Sequence, residues 1–321
     1  TAVGSFALEQ NTTGITNVAV GKLALNRNTT GQQNTSMGAS SLEANTTGSR
    51  NSTAGTSSLA TNISGSDNTA FGHAALGANT TASNNTAVGR ASMQTNTTGT
   101  SNVAVGFKSL LTNTTGGNNV SVGLCSLFSN TTASDNTAIG GVALLSNTTG
   151  GNNTSVGSGS LLTNSTGASN VAVGKDALKR NTTAANNVAV GINALCANTT
   201  GAGNVAIGCG ALCKNTTASG NVAVGREAGI SNTTGANNTF IGENALSNNT
   251  TADGNVAVGM KAMVSNTTGA NNTAVGLCAM RCTTTGTTNT ASGRISLASL
   301  TTGANNVGMG AETMTDLTTG S

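Results

Sequence analysis

The sequence predicts an all-β fold, a parallel β-solenoid of about nineteen coils in which each seventeen-residue copy of a repeat forms one coil. The first observation behind this prediction is a strict tandem period, with eighteen complete copies and a shorter last one. The second is a glycine at the same place in every copy, and the third is the β-branched residues around it. A short period without insertions is typical of solenoids in which each copy forms one coil, because a pair of helices needs about 33 residues or more.

The repeat has the consensus [TV]-A-[VI]-G-x-x-[AS]-L-x-x-N-T-T-[GA]-x-x-N, numbered here as positions 1 to 17, with copies starting from Thr1 to Val307. β-Branched residues at positions 1, 3, 12 and 13 favour short strands and turns. Stacked coils would lie about 4.8 Å apart. We predict a single repeat solenoid over residues 1–321, with regular copies over 1–272 and diverged copies over 273–321.

The composition excludes several classes of protein. There is no Pro, Trp or Tyr, only five Phe, and charged residues are 7% of the chain. The net charge of +3 is scattered, so we expect no nucleic-acid partner. No apolar run reaches membrane-spanning length, so we expect no membrane insertion. With His73 as the single histidine and no paired carboxylates in a pocket, the sequence predicts neither an enzyme nor a metal site.

The repeat columns indicate which side chains point inward. All charged residues and His73 fall at positions 5, 6, 9, 10, 15 or 16, which should therefore face water. Position 3 is mostly apolar, and position 8 is Leu or Met in all copies but Gly229, so these two columns should fill a thin interior. Positions 2 and 7 are almost always Ala or Ser. They are either tight interior corners or a face covered by another chain.

Three columns of small or amide residues indicate turns and ladders. Position 4 is Gly in all nineteen copies, which indicates a positive φ or a backbone too close for a Cβ. Position 14 is Gly or Ala, so it needs a small residue rather than a positive φ. Position 17 is Asn in all eighteen copies that reach it, which predicts a ladder of stacked asparagines.

Position 11 carries an N-glycosylation acceptor pattern in the first sixteen copies, because a Thr or Ser follows two residues later in each. The alternative is a bare Asn/Thr turn and ladder. Further acceptor triplets at position 16 begin at Asn84, Asn152, Asn237 and Asn271. The predicted glycosylation residues are Asn11, Asn28, Asn45, Asn62, Asn79, Asn96, Asn113, Asn130, Asn147, Asn164, Asn181, Asn198, Asn215, Asn232, Asn249 and Asn266.

The six cysteines all fall at the solvent-facing positions. Cys196 and Cys213 share position 9 on successive coils, so their Cα atoms should lie about 4.8 Å apart, within the range of a disulfide. This pair is the disulfide candidate, and free thiols are the alternative. We predict no cofactor other than covalent glycans.

The motif NNTAVGxxALxxNTTG, as in NNTAVGLCAMRCTTTG over Asn271–Gly286, resembles the repeats of trimeric autotransporter adhesin heads of the YadA type. It is also similar to repeats of phage tail-fibre shafts. The resemblance covers the whole chain, although the repeat is longer than in YadA-type heads. It implies a parallel β-roll or β-helix, often trimeric, that serves attachment.

These observations lead to one functional prediction and two alternatives. The first is a non-enzymatic extracellular structural fibre, N-glycosylated along the NTT stripe. Its partners would be copies of itself, end to end or side by side, with glycans or a surface receptor as further partners. The first alternative is an adhesive shaft or head of a phage tail fibre or an autotransporter. The second is an ice-binding protein, which needs a flat and regular array of threonines.

Overall fold

The chain folds into stacked coils, each of which contributes one short strand to a parallel sheet. The computed structural model describes residues 1–320, and no helix occurs among them. The predicted parallel β-solenoid is confirmed, since one strand recurs in every copy of the repeat. The contacts divide the chain into two compact units, Thr1–Gly159 and Ser160–Ser321. Whether residues 1–321 form a single solenoid stays a prediction, and its last residue, Ser321, lies outside the described residues.

Strands β1 to β10 belong to the first unit and β11 to β19 to the second. In the first unit they are Ala2–Val3, Val18–Val20, Thr35–Met37, Ser52–Ala54, Thr69–Phe71, Thr86–Val88, Val103–Val105, Val120–Val122, Thr137–Ile139 and Thr154–Val156. In the second unit they are Val171–Val173, Val188–Val190, Val205–Ile207, Val222–Val224, Thr239–Ile241, Val256–Val258, Thr273–Val275, Thr290–Ser292 and Val307–Met309.

Within each unit, every strand pairs in register with the strand of the next coil. Val103 lies opposite Val120, and Val105 lies opposite Val122, in each case one repeat further along the chain. Like positions therefore stack on like positions. This register makes every column of the repeat a continuous row of side chains within each unit.

The interior is filled by positions 2, 7 and 8. Ala104, Ser109 and Leu110, which hold these positions in coil 7, are all fully buried. The Ser109 hydroxyl donates a hydrogen bond of 2.9 Å to the backbone oxygen of Ser121 at position 2 of the next coil. The prediction for position 8 is therefore confirmed, and positions 2 and 7 are the tight interior corners of the two alternatives.

The prediction that position 3 fills the interior is wrong. Ile139, Ile207 and Ile241 at this position are 40%, 40% and 38% exposed, and positions 1 and 3 both face outward. A strand points alternate side chains to opposite faces, so a buried position 2 forces positions 1 and 3 out. The leucine of position 8 already occupies the space behind the strand, which leaves room there only for Ala or Ser.

The turn that follows each strand has a left-handed backbone conformation at positions 6 and 8. Leu110 has a φ of 53°, and nearly every other residue at position 8 is similar. Such a φ costs a non-glycine residue on the order of 1 kcal/mol. Burying the leucine side chain stabilises by about 1.5–3 kcal/mol, which offsets that cost. The strained turn is therefore maintained because it aims the leucine into the core.

One pair of coils breaks the consensus at two positions at once. Gly229 replaces the position-8 leucine of coil 14, and Phe240 replaces the position-2 alanine of coil 15. Phe240 is fully buried, and a Cβ added to Gly229 would lie 3.0 Å from its Cδ2 atom. The phenyl ring therefore occupies the space that the missing leucine would fill. Sequence reasoning noted Gly229 as an exception but missed its partner.

Charged side chains lie on the outer turns and pair between coils. Arg50 Nε donates to Asp67 Oδ1 at 2.6 Å across one repeat, and this hydrogen bond holds the pKa of Asp67 below its usual range. Arg226 pairs in the same way with Glu243 on the next coil. The side chains of all four residues are largely exposed, so solvent screening leaves each pair with little effect on stability.

Candidate functional site

The asparagines of position 11 lie inside the coils and form a hydrogen-bonded ladder. Asn113 Nδ2 donates to Asn96 Oδ1 at 2.7 Å and to the Gly116 carbonyl at 2.9 Å. Its own Oδ1 accepts from Asn130 Nδ2 at 2.8 Å. Asn113 is fully buried, as are its counterparts from Asn28 to Asn266, whereas Asn11 in the first coil is half-buried. Both N–H groups of the Asn113 amide are therefore used within the fold.

This geometry bears directly on the predicted glycosylation residues. An N-linked sugar replaces a hydrogen of Nδ2, and in Asn113 both hydrogens point into the coil. A glycan there would break at least one ladder bond and would have no path to solvent. Occupancy of these sequons stays a prediction, which an intact mass compared with the 31.0 kDa of the bare chain decides. The geometry favours bare asparagines at position 11.

The four acceptor triplets of position 16 differ, because their asparagines are exposed. They are Asn84, Asn152, Asn237 and Asn271. Each lies in the outer turn, where a sugar would meet only water. If the protein carries N-linked glycans, these are the sites at which the fold accommodates them.

A second ladder runs through position 17, and that prediction is confirmed. The backbone N–H of Asn102 donates to Asn85 Oδ1 at 2.9 Å, and its Nδ2 donates to the Gly116 carbonyl at 2.9 Å. Gly116 O thus accepts from both ladders, since Asn113 donates to it as well. A Cβ on Gly116 would lie 2.2 Å from the next carbonyl, at Ala133. The crowding of two ladders explains why position 14 is only Gly or Ala.

The position-11 ladder ends where the regular copies end. Thr283 replaces asparagine in coil 17, and Asn266 Oδ1 below it is left without a donor. Among residues 1–320, this oxygen and the Thr283 hydroxyl are the buried side-chain polar atoms with no hydrogen-bond partner. An unsatisfied buried acceptor costs about 1–3 kcal/mol. The diverged copies 273–321 therefore begin at a weak point of the stack.

Restoring the ladder at this point should stabilise the protein. Thr283→Asn is expected to raise the free energy of unfolding by about 1 kcal/mol. The new amide gives Asn266 Oδ1 its donor and removes the unpaired Thr283 hydroxyl, although its own Oδ1 then has no donor because the next coil has Leu300. Denaturant unfolding monitored by circular dichroism measures the change. Thr284→Asn is the matched control, since it removes a hydroxyl that bonds to the Thr301 carbonyl at 3.2 Å and adds no ladder contact. Equal effects of the two substitutions would contradict the ladder interpretation.

The two threonines after the ladder asparagine point in opposite directions. Thr114 at position 12 donates its hydroxyl to the Thr131 carbonyl of the next coil at 3.0 Å. Thr115 at position 13 is exposed, and position 13 is Thr in every copy except Ser64. Position 12 therefore joins coils, whereas position 13 presents a single row of hydroxyl and methyl groups to solvent.

The outer face of the sheet, defined here as positions 1 and 3, is a regular surface within each unit. No copy has a charged residue at either position. Position 1 is Thr or Val apart from one Ser, and it is half-buried in most coils. Position 3 is mostly Val or Ile, with Met37 and Phe71 49% and 44% exposed. Sequence reasoning missed this face, although the lack of charge at both positions was the available signal.

The structure brings the disulfide candidates together on adjacent coils. Cys196 Sγ and Cys213 Sγ lie 2.7 Å apart, and both residues are free, half-buried thiols. The hydrogen bond between the two thiols lowers the pKa of Cys213 to about 7, against the opposing effect of burial and with help from Lys214. The same hydrogen bond and burial raise the pKa of Cys196. The disulfide itself stays a prediction.

Other kinds of site find no support in residues 1–320. No group of three or more His, Cys, Asp or Glu side chains lies close enough to hold a metal ion. None of these residues lies in a helix that is long and apolar enough to cross a bilayer. His73 lies exposed on an outer turn, as its position in the repeat predicts.

The fold and its ladders define a class of protein, the parallel β-solenoids built from tandem one-coil repeats. No protein-family model matches the chain, and no curated protein matches its sequence. The resemblance to YadA-type adhesin heads and to tail-fibre shafts therefore stays a prediction beyond the shared β-solenoid architecture.

Proposed function

We propose that this protein is a non-enzymatic, extracellular structural fibre subunit that associates side by side with copies of itself. The outer sheet face carries the proposal, because it is regular, free of charge in every coil and built mostly of Val, Ile and Thr. The outer turns accept charges at positions 5, 6, 9, 10, 15 and 16, whereas position 13 is a further exposed column without charge. An uncharged row of half-exposed aliphatic side chains is typical of a contact face.

The size of this face can be given for each unit separately. Ten strands at a spacing of about 4.8 Å extend about 43 Å, and three residues give the face a width of about 10 Å. Each unit thus offers about 400 Å² at these spacings. This is about half of the roughly 800 Å² that one partner gives to a standard interface.

The regular spacing of the face favours another copy as its occupant. Two such faces share the same coil spacing, so the side chains of one can fit between those of the other along their whole length. A partner without this period would leave gaps in most coils. The interface would exclude water, and a single charge placed within it would be left unpaired and desolvated.

The test is the mass of the particle in solution. Analytical ultracentrifugation of the full chain should show an oligomer. The double variant Ile207→Lys with Val224→Lys should raise the dissociation constant of that oligomer at least tenfold. These side chains are 40% and 37% exposed on adjacent coils, so lysines there should not disturb the interior. The matched control is Thr217→Lys with Thr234→Lys, which adds the same charge to the same two coils at exposed position 13.

Two outcomes would contradict the proposal. One is a wild-type chain that is monomeric at high micromolar concentration. The other is an equal change in oligomeric state for the two lysine pairs. Circular dichroism of each variant establishes that the coils remain folded.

The two alternative functions stay proposals with weaker support. An adhesive shaft would use the variable outer turns, where Lys, Arg, Glu and Asp alternate with small residues. Ice binding would use the threonines of position 13, but these form one exposed row because the position-12 hydroxyls are bonded to backbone. In either case the sheet face would still need a cover, and the fibre proposal provides one.

A further inference from the structure

The second unit contains a pair of thiols in a cationic cavity, which the fibre proposal does not use. Cys196 and Cys213 line a surface cavity of about 340 Å³ together with Lys179, Arg180 and Lys214. This volume lies at the lower end of the range for small-molecule sites. The pair is therefore accessible to a small reagent, and each thiol comes from a different coil.

The charges around the cavity are unbalanced. Asp176 is the single acidic residue of the lining, and its Oδ1 lies 3.1 Å from Lys179 Nζ. No ion pair involves Arg180 or Lys214 among residues 1–320. The charges of Arg180 and Lys214 are therefore available to a ligand that enters the cavity. A site with this charge attracts anions and repels cations.

We propose that this cavity is a thiol–disulfide exchange site, at which an anionic low-molecular-weight disulfide oxidises the pair Cys196–Cys213 to a reversible bond between two coils. Cys213 is the attacking thiol and Cys196 the resolving thiol. The proposal is independent of self-association, because both residues lie on the outer turns of coils 12 and 13 and not on the sheet face.

The assignment of roles follows from the contact between the two sulfur atoms. Either sulfur can donate the hydrogen bond between the two thiols, and Cys196 Sγ also donates to the Cys213 backbone oxygen at 3.4 Å. Once Cys213 is ionised, Cys196 must be the donor, and Lys214 and Arg180 also favour the Cys213 thiolate. Asp176 and Cys209 are the other ionisable groups that act on the pair, and neither favours a thiolate. The thiolate is the nucleophile in disulfide exchange, so Cys213 attacks first.

The exchange is balanced in atoms and electrons. The Cys213 thiolate attacks one sulfur of the disulfide RS–SR, forms the mixed disulfide and releases RS⁻, which takes a proton from water. The thiolate that held the Cys196 proton by a hydrogen bond is then gone, so Cys196 loses its proton to water. Its sulfur attacks the Cys213 sulfur and releases the second RS⁻. Two protein thiols are oxidised, and one RS–SR is reduced to two RSH.

The test uses the full chain with Cys125, Cys209, Cys278 and Cys282 all replaced by serine, so that the pair alone reacts. Oxidised glutathione is the anionic probe, and cystamine is the cationic probe of the same chemistry. Oxidation is followed by mass spectrometry of alkylated, quenched samples. We expect the glutathione reaction to accelerate as the pH rises through about 7, earlier than the reaction of free cysteine, whose pKa is about 8.5.

Charge variants separate a cavity site from two merely adjacent thiols. Arg180→Gln with Lys214→Gln should slow oxidation by glutathione about tenfold and leave the cystamine rate unchanged or faster. The matched control is Lys175→Gln, which removes a cation from the same region outside the cavity lining. In the same background, Cys196→Ser should accumulate a mixed disulfide at Cys213, whereas Cys213→Ser should leave Cys196 largely unmodified.

Two outcomes would overturn the proposal. One is equal oxidation rates with the two probes in both the parent and the charge variant. This would show that the cavity does not discriminate between an anionic and a cationic disulfide. The other is faster adduct formation at Cys196 than at Cys213, which would reverse the roles. Neither outcome bears on the oligomeric state, so this test and that of the fibre proposal fail separately.

Discussion

Replacing Phe240 by alanine is expected to lower the free energy of unfolding by about 3–5 kcal/mol, the usual cost of removing a buried phenylalanine. The ring is fully buried, and the coil beneath it offers Gly229 in place of a leucine. No neighbouring side chain can move in to fill the space, because every other interior column in these coils is already stacked. The cavity therefore stays open.

The substitution Gly229→Leu alone should also lower the free energy of unfolding. Gly229→Leu places a Cβ 3.0 Å from Phe240 Cδ2 and 3.1 Å from Leu212 Cδ2, so the new side chain has no room. The left-handed φ of Gly229, 58°, is not the obstacle, because leucines adopt it at this position in other coils. We expect a loss of about 1–3 kcal/mol from overpacking.

The double variant Gly229→Leu with Phe240→Ala restores the consensus coil and should recover most of both losses. Denaturant unfolding of the four proteins gives a double-mutant cycle, and hydrogen exchange in coils 14 and 15 localises the effect. A double variant as unstable as the sum of the single ones would show that the two exceptions are unrelated.

Gly106→Ala should be the second severe change, with an expected loss of about 3 kcal/mol or more, since strain and a backbone clash act together. Gly106 has a φ of +134°, in a region that residues with a Cβ rarely adopt, which costs on the order of 1–3 kcal/mol. Its added Cβ would lie 2.4 Å from the Gly123 carbonyl oxygen of the next coil. Its backbone N–H is bonded to the Val88 carbonyl at 2.8 Å, so the coil cannot shift away without losing a hydrogen bond.

Gly99→Ala is the matched control, because it adds the same methyl group to the preceding coil at position 14. Its Cβ also meets a carbonyl, at 2.3 Å, but its φ is not positive. The chain already has alanine at this position in five coils, such as Ala82 and Ala133. We expect a loss below about 1 kcal/mol, as is usual for a substitution without a special backbone conformation. Melting temperatures by circular dichroism compare the two, and equal losses would show that φ at position 4 does not matter.

Neither prediction depends on the function of the protein, and both concern what holds the stack of coils together. A solenoid of identical coils has no large core, so each coil relies on its neighbours. An irregular coil must be compensated locally, as Phe240 compensates Gly229. The Thr283 coil lacks such compensation, and it leaves a buried acceptor unsatisfied.

The amino-acid sequence by itself determined the coil and most of its columns. A fixed short period without insertions is compatible with one coil per copy, and the register then follows because like residues stack. The interior leucine of position 8 and the asparagine ladder of position 17 were predicted correctly. For the glycine of position 4 the sequence left a positive φ and a close backbone as alternatives, and both hold. The adjacency of Cys196 and Cys213 follows from the same register.

Only the tertiary structure decided which face of the strand is inside. Hydrophobicity indicated position 3, but position 2 is buried because the leucine from the opposite turn leaves room there only for a methyl or hydroxymethyl group. The same crowding hides the asparagines of position 11. A glycosylation acceptor triplet and a ladder element have the same amino-acid sequence, because one asparagine amide can either carry a sugar or bond to its neighbours. Which of these the fold favours depends on where the amide points, and that is a property of the stacked coils.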